Sequence, residues 1–195
     1  MPIIDIFYFN LYKFFNSLFL GVSIGAVFIL YTPLNPSIYS IGGIVLAIGI
    51  LIISRFYHKI LNVIWFFRIS LFVEIVLLIG IIFFLNYKYN YQSALIIYIG
   101  YQMTFIFGSY LVRAETLILK DEKILTKIDT SKQFGYLLGM IISFGFYKWI
   151  EYIDIVDKQS QIYYLHFLLL FIEIVIIYLI FRGFRTKSTK LKDFR

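Results

Sequence analysis

Two glutamates stand where a charge is costly. In "FVEIVLLI" (residues 72–79) and "FIEIVIIY" (residues 171–178), Glu74 and Glu173 interrupt runs of Ile, Val, Leu and Phe. A carboxylate has no partner in hydrocarbon, so each is expected to be a neutral acid unless water or a cation reaches it. Two uses fit such a group: proton or cation coupling, or a hydrogen bond to a neighbouring helix. A second constellation is Tyr98, Gln102, Phe105, Ser109, Arg113 and Thr116. Steps of three or four residues put these on one side of a helix. Gln102, Ser109 and Arg113 are candidates for binding a small solute, and Arg113 suits an anionic or zwitterionic one. A facing stripe of Ser17, Gly21, Gly25, Phe28 and Thr32 lies near the N-terminus, and Asn16 and Ser17 are further binding candidates. Small-residue stripes of this kind equally suit close helix packing.

Other chemistry is excluded. With no cysteine in the chain, thiol catalysis, disulfides and thiolate metal sites are ruled out. The two histidines, His58 and His166, lack metal-ligand spacing. No phosphate loop, HExxH, GxSxG or acidic metal cluster occurs, so neither an enzyme nor a bound cofactor or metal is expected.

The elements that must position these residues are membrane helices. Hydrophobic residues make up 61% of the chain and charged ones 15%, against roughly 25% charged in a soluble domain. Mean hydropathy is +0.86. Apolar runs approach the ~20 residues that cross ~30 Å of hydrocarbon. The pattern predicts an all-α, polytopic integral membrane protein with six spans, over about 14–31, 38–53, 62–85, 94–117, 133–149 and 163–181, plus a basic tail over 182–195. The whole chain, 1–195, reads as one transmembrane domain. The formal net charge of +7 is spread through short segments between apolar runs, which points to membrane orientation rather than nucleic-acid binding. Lys13, Arg55, Lys59, Lys120, Lys123, Lys127, Lys132 and the tail fall on one side; Lys88, Lys148 and Lys158 fall on the other. Both termini are therefore expected to be cytoplasmic, in a multi-pass protein of the inner (cytoplasmic) membrane whose residue bias suggests a bacterium.

An internal repeat is also expected. "SLFVEIVLLI" and "LLFIEIVIIY" align on their glutamates, and Gly43 and Gly49 are spaced like Gly139 and Gly145. Three spans per copy place the copies in opposite orientations, a 3+3 inverted repeat of the sort found in secondary transporters.

The layout resembles one six-helix half of a major facilitator superfamily transporter. "GILIISRFYHK" stands where that family carries its signature loop; Arg55 and Lys59 match, whereas Ser54 replaces the family's Asp and Tyr57 its second Gly. "GSYLVRAETLILKDEKILTKIDTSKQFGYLLG" (residues 108–139) is similar to the family's fourth helix, loop and fifth helix. The resemblance implies a gating role for Arg55 and Lys59, a cavity lined by the first and fourth spans, and an outer position for the third and sixth with their glutamates. It implies alternating access by a half-size transporter working as a homodimer or with a half-size partner, surrounded by lipid and moving a small-molecule solute. The competing expectation is a non-transporting membrane-embedded subunit or binding component of a larger complex.

Overall fold

The computed structural model describes residues 2–87 and 89–186. Lys88 and the greater part of the basic tail, 187–195, lie outside the described residues. The elements in chain order are β1 (Pro2–Ile4), α1 (Ile6–Leu30), α2 (Pro36–Arg55), α3 (Tyr57–Ile60), α4 (Val63–Asn86), α5 (Tyr91–Ile106), α6 (Gly108–Leu119), α7 (Glu122–Tyr152), α8 (Lys158–Gly183) and β2 (Phe184–Thr186). Five segments are long and apolar enough to cross a membrane: α1, α2, α4, α5–α6 taken together, and α8. Their length and composition are those of a membrane-spanning protein. The remaining expected segment, the fifth in chain order, lies in α7, whose opening turns carry Glu122, Lys123, Lys127, Asp129 and Lys132; only its later turns are apolar.

Short polar residues start the helices. Asp5 caps α1 through the Phe7 and Tyr8 N–H groups, Asn62 caps α4 through Trp65, and Asp121 caps α7 through Lys123 and Ile124. Asn90 and Ser93 form a reciprocal capping box on α5. Asp157 caps α8, and the Ser160 N–H and hydroxyl hold its carboxyl below the usual range. Pro36 opens α2, where its missing N–H has no helical partner to lose. Lys120 ends α6 in the left-handed region at φ 53°.

Several expected boundaries move for these reasons. The first span was expected from residue 14 but the helix begins at Ile6, because Asp5 caps it and Lys13 is buried within it rather than flanking it. The charged stretch before the fifth span is helical from Glu122 rather than a loop. The fourth span is two helices: Phe107 turns the chain, its N–H bonding Thr104 O three residues back rather than four. That break separates Tyr98, Gln102 and Phe105 from Ser109, Arg113 and Thr116.

Packing is centred on α1, which lies against α7 and α8, while α4 bridges α8 and α5–α6 and α2 lies outside on α5. Close approach of α1 and α7 rests on glycine. A Cβ at Gly21 would sit 3.0 Å from Gly139 Cα, and one at Gly135 would meet Phe14 O. Two hydrogen bonds pin the same interface: Asn10 Nδ2 to Ser131 Oγ at 2.9 Å and Ser143 Oγ to Val22 O at 3.1 Å. On α2 only Gly42 is buried, and Ile44, Ile48 and Leu51 are exposed, the surface of a lipid-facing helix. β1 and β2 pair antiparallel, Pro2 opposite Thr186 and Ile4 opposite Phe184, so the two ends of the described chain meet on one face. Phe9, Phe66, Phe67 and Phe184 pack edge-on and tilted beneath that pair.

Candidate functional site: a charged cleft between α1 and α5–α6

A cleft of about 570 Å³ runs between α1 and α5–α6, with α4 as its floor and Lys132 of α7 at one end. Most of its wall is apolar: Phe19, Leu20, Ile24, Phe28, Leu111 and Val112 contribute. Its charged groups, Lys13, Glu74, Glu115 and Lys132, gather toward the end where the strands lie, and Ser23, Tyr31, Tyr101 and Thr104 line the rest. At ~1.5 Å per residue, Lys13 lies roughly 10 Å along α1 from its start.

The strongest feature is a buried ionic triad. Glu115 on α6 is 3% exposed. Lys13 Nζ on α1 meets its Oε2 at 2.7 Å, and Lys132 Nζ on α7 meets its Oε1. Lys132 also reaches Asp129 Oδ1 at 3.0 Å. Lys13 is 7% exposed and its ammonium lies 5.1–5.6 Å from the ring centres of Tyr12, Phe9 and Phe66. Aromatic faces attract a cation, but by less than a carboxylate in contact does. One anion thus ties three helices together across the polar end of the cleft.

Deeper in, Glu74 on α4 accepts from Asn16 Nδ2 at 2.8 Å and from Tyr12 OH at 3.3 Å. Across from it, Glu173 on α8 is fully buried, and the two carboxyls lie within hydrogen-bonding reach. The two glutamates of the repeated motif therefore meet at the α4–α8 contact. The family layout implied that Glu74 would lie away from the cavity; instead it borders the cleft, because Asn16 of α1 draws it there.

The other expected site residues are distributed. Asn16 and Ser17 line the cleft. Gln102 does not; its Oε1 is buried without a donor. Ser109 and Arg113 face a separate concavity of about 580 Å³ beside Thr116 and Leu117. Both are exposed, and the Arg113 guanidinium lies 5.6 Å from the Tyr57 ring centre. The face of α5–α6 that lines the cleft carries Tyr101, Thr104, Gly108, Leu111 and Glu115, and Ser109 and Arg113 lie on the neighbouring face. Arg55 and Lys59 are exposed on the α2–α3 connection. On α1, Gly21 and Gly25 serve packing, against the α7 backbone and the Tyr147 ring respectively. His166 stacks on Phe84 with ring centres 4.0 Å apart and its Nδ1 2.8 Å from Ile162 O. Among the described residues no group of His, Asp and Glu is arranged to hold a metal ion.

Sequence reasoning missed Lys13, Glu115 and Lys132 as a unit. Lys13 and Lys132 read as orientation markers, and Glu115 carries no role in the sequence pattern. A usable signal was present: Lys13 and Asn16 are three residues apart, on one helix face, inside an apolar run. No protein-family model, no curated protein and no solved structure matches the chain. The chain is a predominantly helical bundle with five segments long and apolar enough to cross a membrane and a charged cleft between them.

Proposed function

We propose that the protein is a half-size secondary transporter of major facilitator type, carrying a small solute by alternating access as a homodimer. The observation that carries this reading is the cleft between α1 and α5–α6. It is lined by the two spans that the resemblance assigns to the cavity, and it holds charges that a structural helix contact alone does not require.

The packing pattern supports the inverted repeat. Exchanging the first three spans with the last three maps the α1–α7 contact onto the α5–α2 contact, maps α1–α8 onto α5–α6 with α4, and returns α4–α8 to itself. The glycines follow the same exchange. Gly135 and Gly139 of α7 face α1, and Gly42 and Gly49 of α2 face Tyr98 and Ile106 of α5. The strand pair supports six spans: with both ends on one face, the crossings between them must be even in number. The segment 133–152 of α7 supplies a sixth, since its 20 residues reach about 30 Å as helix. Arg55, Lys59, Lys120, Lys123 and Lys127 are exposed at the end of the bundle where the strands lie, which supports a cytoplasmic face there, as in a bacterial inner membrane. The cleft rim, with Leu20, Phe28, Phe105 and Val112 exposed, is where a second copy would close the path.

Introduced thiols test this reading, because the chain has no cysteine of its own. In proteoliposomes, Ser17→Cys is expected to react with a charged, membrane-impermeant maleimide applied from either side in turn. Ile48→Cys, on the lipid-facing surface of α2, is expected to stay unmodified. Labelling of Ser17→Cys from one side only, or from neither, contradicts alternating access.

A further inference from the structure

The Glu74–Glu173 contact carries more than helix packing. Glu74 is 1% exposed and Glu173 0%. Asn16 and Tyr12 both bond Glu74 Oε1; Glu74 Oε2 and both Glu173 oxygens receive no N–H or hydroxyl from any other described residue. Yet the carboxyls lie within hydrogen-bonding reach of each other. A bond between two carboxyls needs an acid O–H, and two bare carboxylates in contact away from water repel strongly. The geometry therefore calls for at least one proton on the pair.

The surrounding charges set what that proton does. The groups facing the pair are Tyr12 and Lys13 from α1, Tyr101 from α5 and Glu115 from α6, with Lys132 of α7 behind Glu115. Glu115 and the exposed Asp129 together balance Lys13 and Lys132. A pair holding one proton adds one negative charge to this cluster, and a second proton removes it.

We propose that Glu74 and Glu173 together form a proton-binding site of the cleft, holding one proton and taking up a second from water that enters beside Glu74. In the step, a hydronium ion gives its proton to the singly protonated pair, which becomes neutral, and a water molecule is left. As a coupling site this rests on the transport reading; as a proton site it does not, because both glutamates belong to one chain.

The test is infrared titration of the full chain in lipid nanodiscs, with carbon-13 glutamate to separate Glu from Asp. At neutral pH a protonated glutamate carbonyl band is expected, shifted by the label. Acidification is expected to add a second band of comparable area, before any change in helix content. Glu173→Gln and Glu74→Gln are each expected to remove the titrating band. Absence of a protonated glutamate band in the wild type at neutral pH would overturn the proposal, and so would a band unchanged in both variants. The neutral-pH band of the wild type decides the matter even if a variant fails to fold. A monomeric particle would count against the dimeric transporter while leaving this band in place.

Discussion

Glu115→Ala is expected to destabilise the bundle by about 3–5 kcal/mol, the cost of leaving a buried charge without its partner. Glu115 holds Lys13 at 2.7 Å on one oxygen and Lys132 on the other, and its side chain is only 4% exposed. Without it two ammonium groups from α1 and α7 face each other across a void. Lys132, with a side chain 23% exposed, can turn toward Asp129 and water. Lys13 has a side chain 9% exposed and is walled by three aromatic rings. Those rings offset about 0.5–2 kcal/mol at best. The checking measurement is thermal unfolding in nanodiscs, read as a large drop in midpoint. Lys13→Met combined with Glu115→Leu removes both charges at similar volume and is expected to recover most of the loss. A single variant as stable as the wild type would mean that the triad does not hold α1, α6 and α7 together.

Gly139→Leu is expected to prevent α1 and α7 from packing at all. Overpacking costs about 1–3 kcal/mol where side chains can move aside. Here the atoms met are backbone: Leu18 O, and Gly21 Cα at 3.0 Å. Relief requires the helices to separate, which also breaks the Ser143 bond to Val22 O and pulls Lys132 from Glu115. Loss of monodisperse protein on extraction and rapid cleavage by added protease are the expected readouts. Gly145→Leu is the matched control, because a Cβ there meets nothing within 4 Å. Equal damage from both substitutions would point to a general intolerance of α7 rather than to this contact.

The membrane class and most of the helices were legible in the sequence because apolar length is a one-dimensional property. The α1 start was not, since Lys13 looks like a flank until a partner on a distant helix is known. The opening turns of α7 hid for a related reason: "EKILTKIDTSK" is charged enough to read as a loop, yet Asp121 caps it and Ile128 is fully buried. The repeated glutamate motif places Glu74 and Glu173 side by side at the α4–α8 contact. Its meaning was out of reach, because the bond from Asn16 that brings Glu74 to the cleft crosses 58 residues. The stripe from Tyr98 to Thr116 assumed a continuous helix, and no proline or glycine pair announced the turn at Phe107. A single Gly108 beside it was an insufficient signal, being compatible with an unbroken span.

The glycine pairs matched in the sequence are not the pairs that make the contacts: a Cβ at Gly145 meets nothing within 4 Å, and α7 approaches α1 at Gly135 and Gly139. Gly43 has open space around it, whereas Gly42 and Gly49 are the positions that approach α5. The sequence comparison matched spacing, while the contact depends on which helix face each glycine occupies.

On the proposed reading, one copy of this chain is half of a working unit. Its most direct test is particle mass in a lipid nanodisc, with the lipid and scaffold contribution subtracted. The expected result is two copies of the 23.1 kDa chain per particle, without another subunit. A strict monomer across protein concentrations, or one copy held with an unrelated subunit, would contradict the half-transporter account and favour an embedded component of a larger assembly.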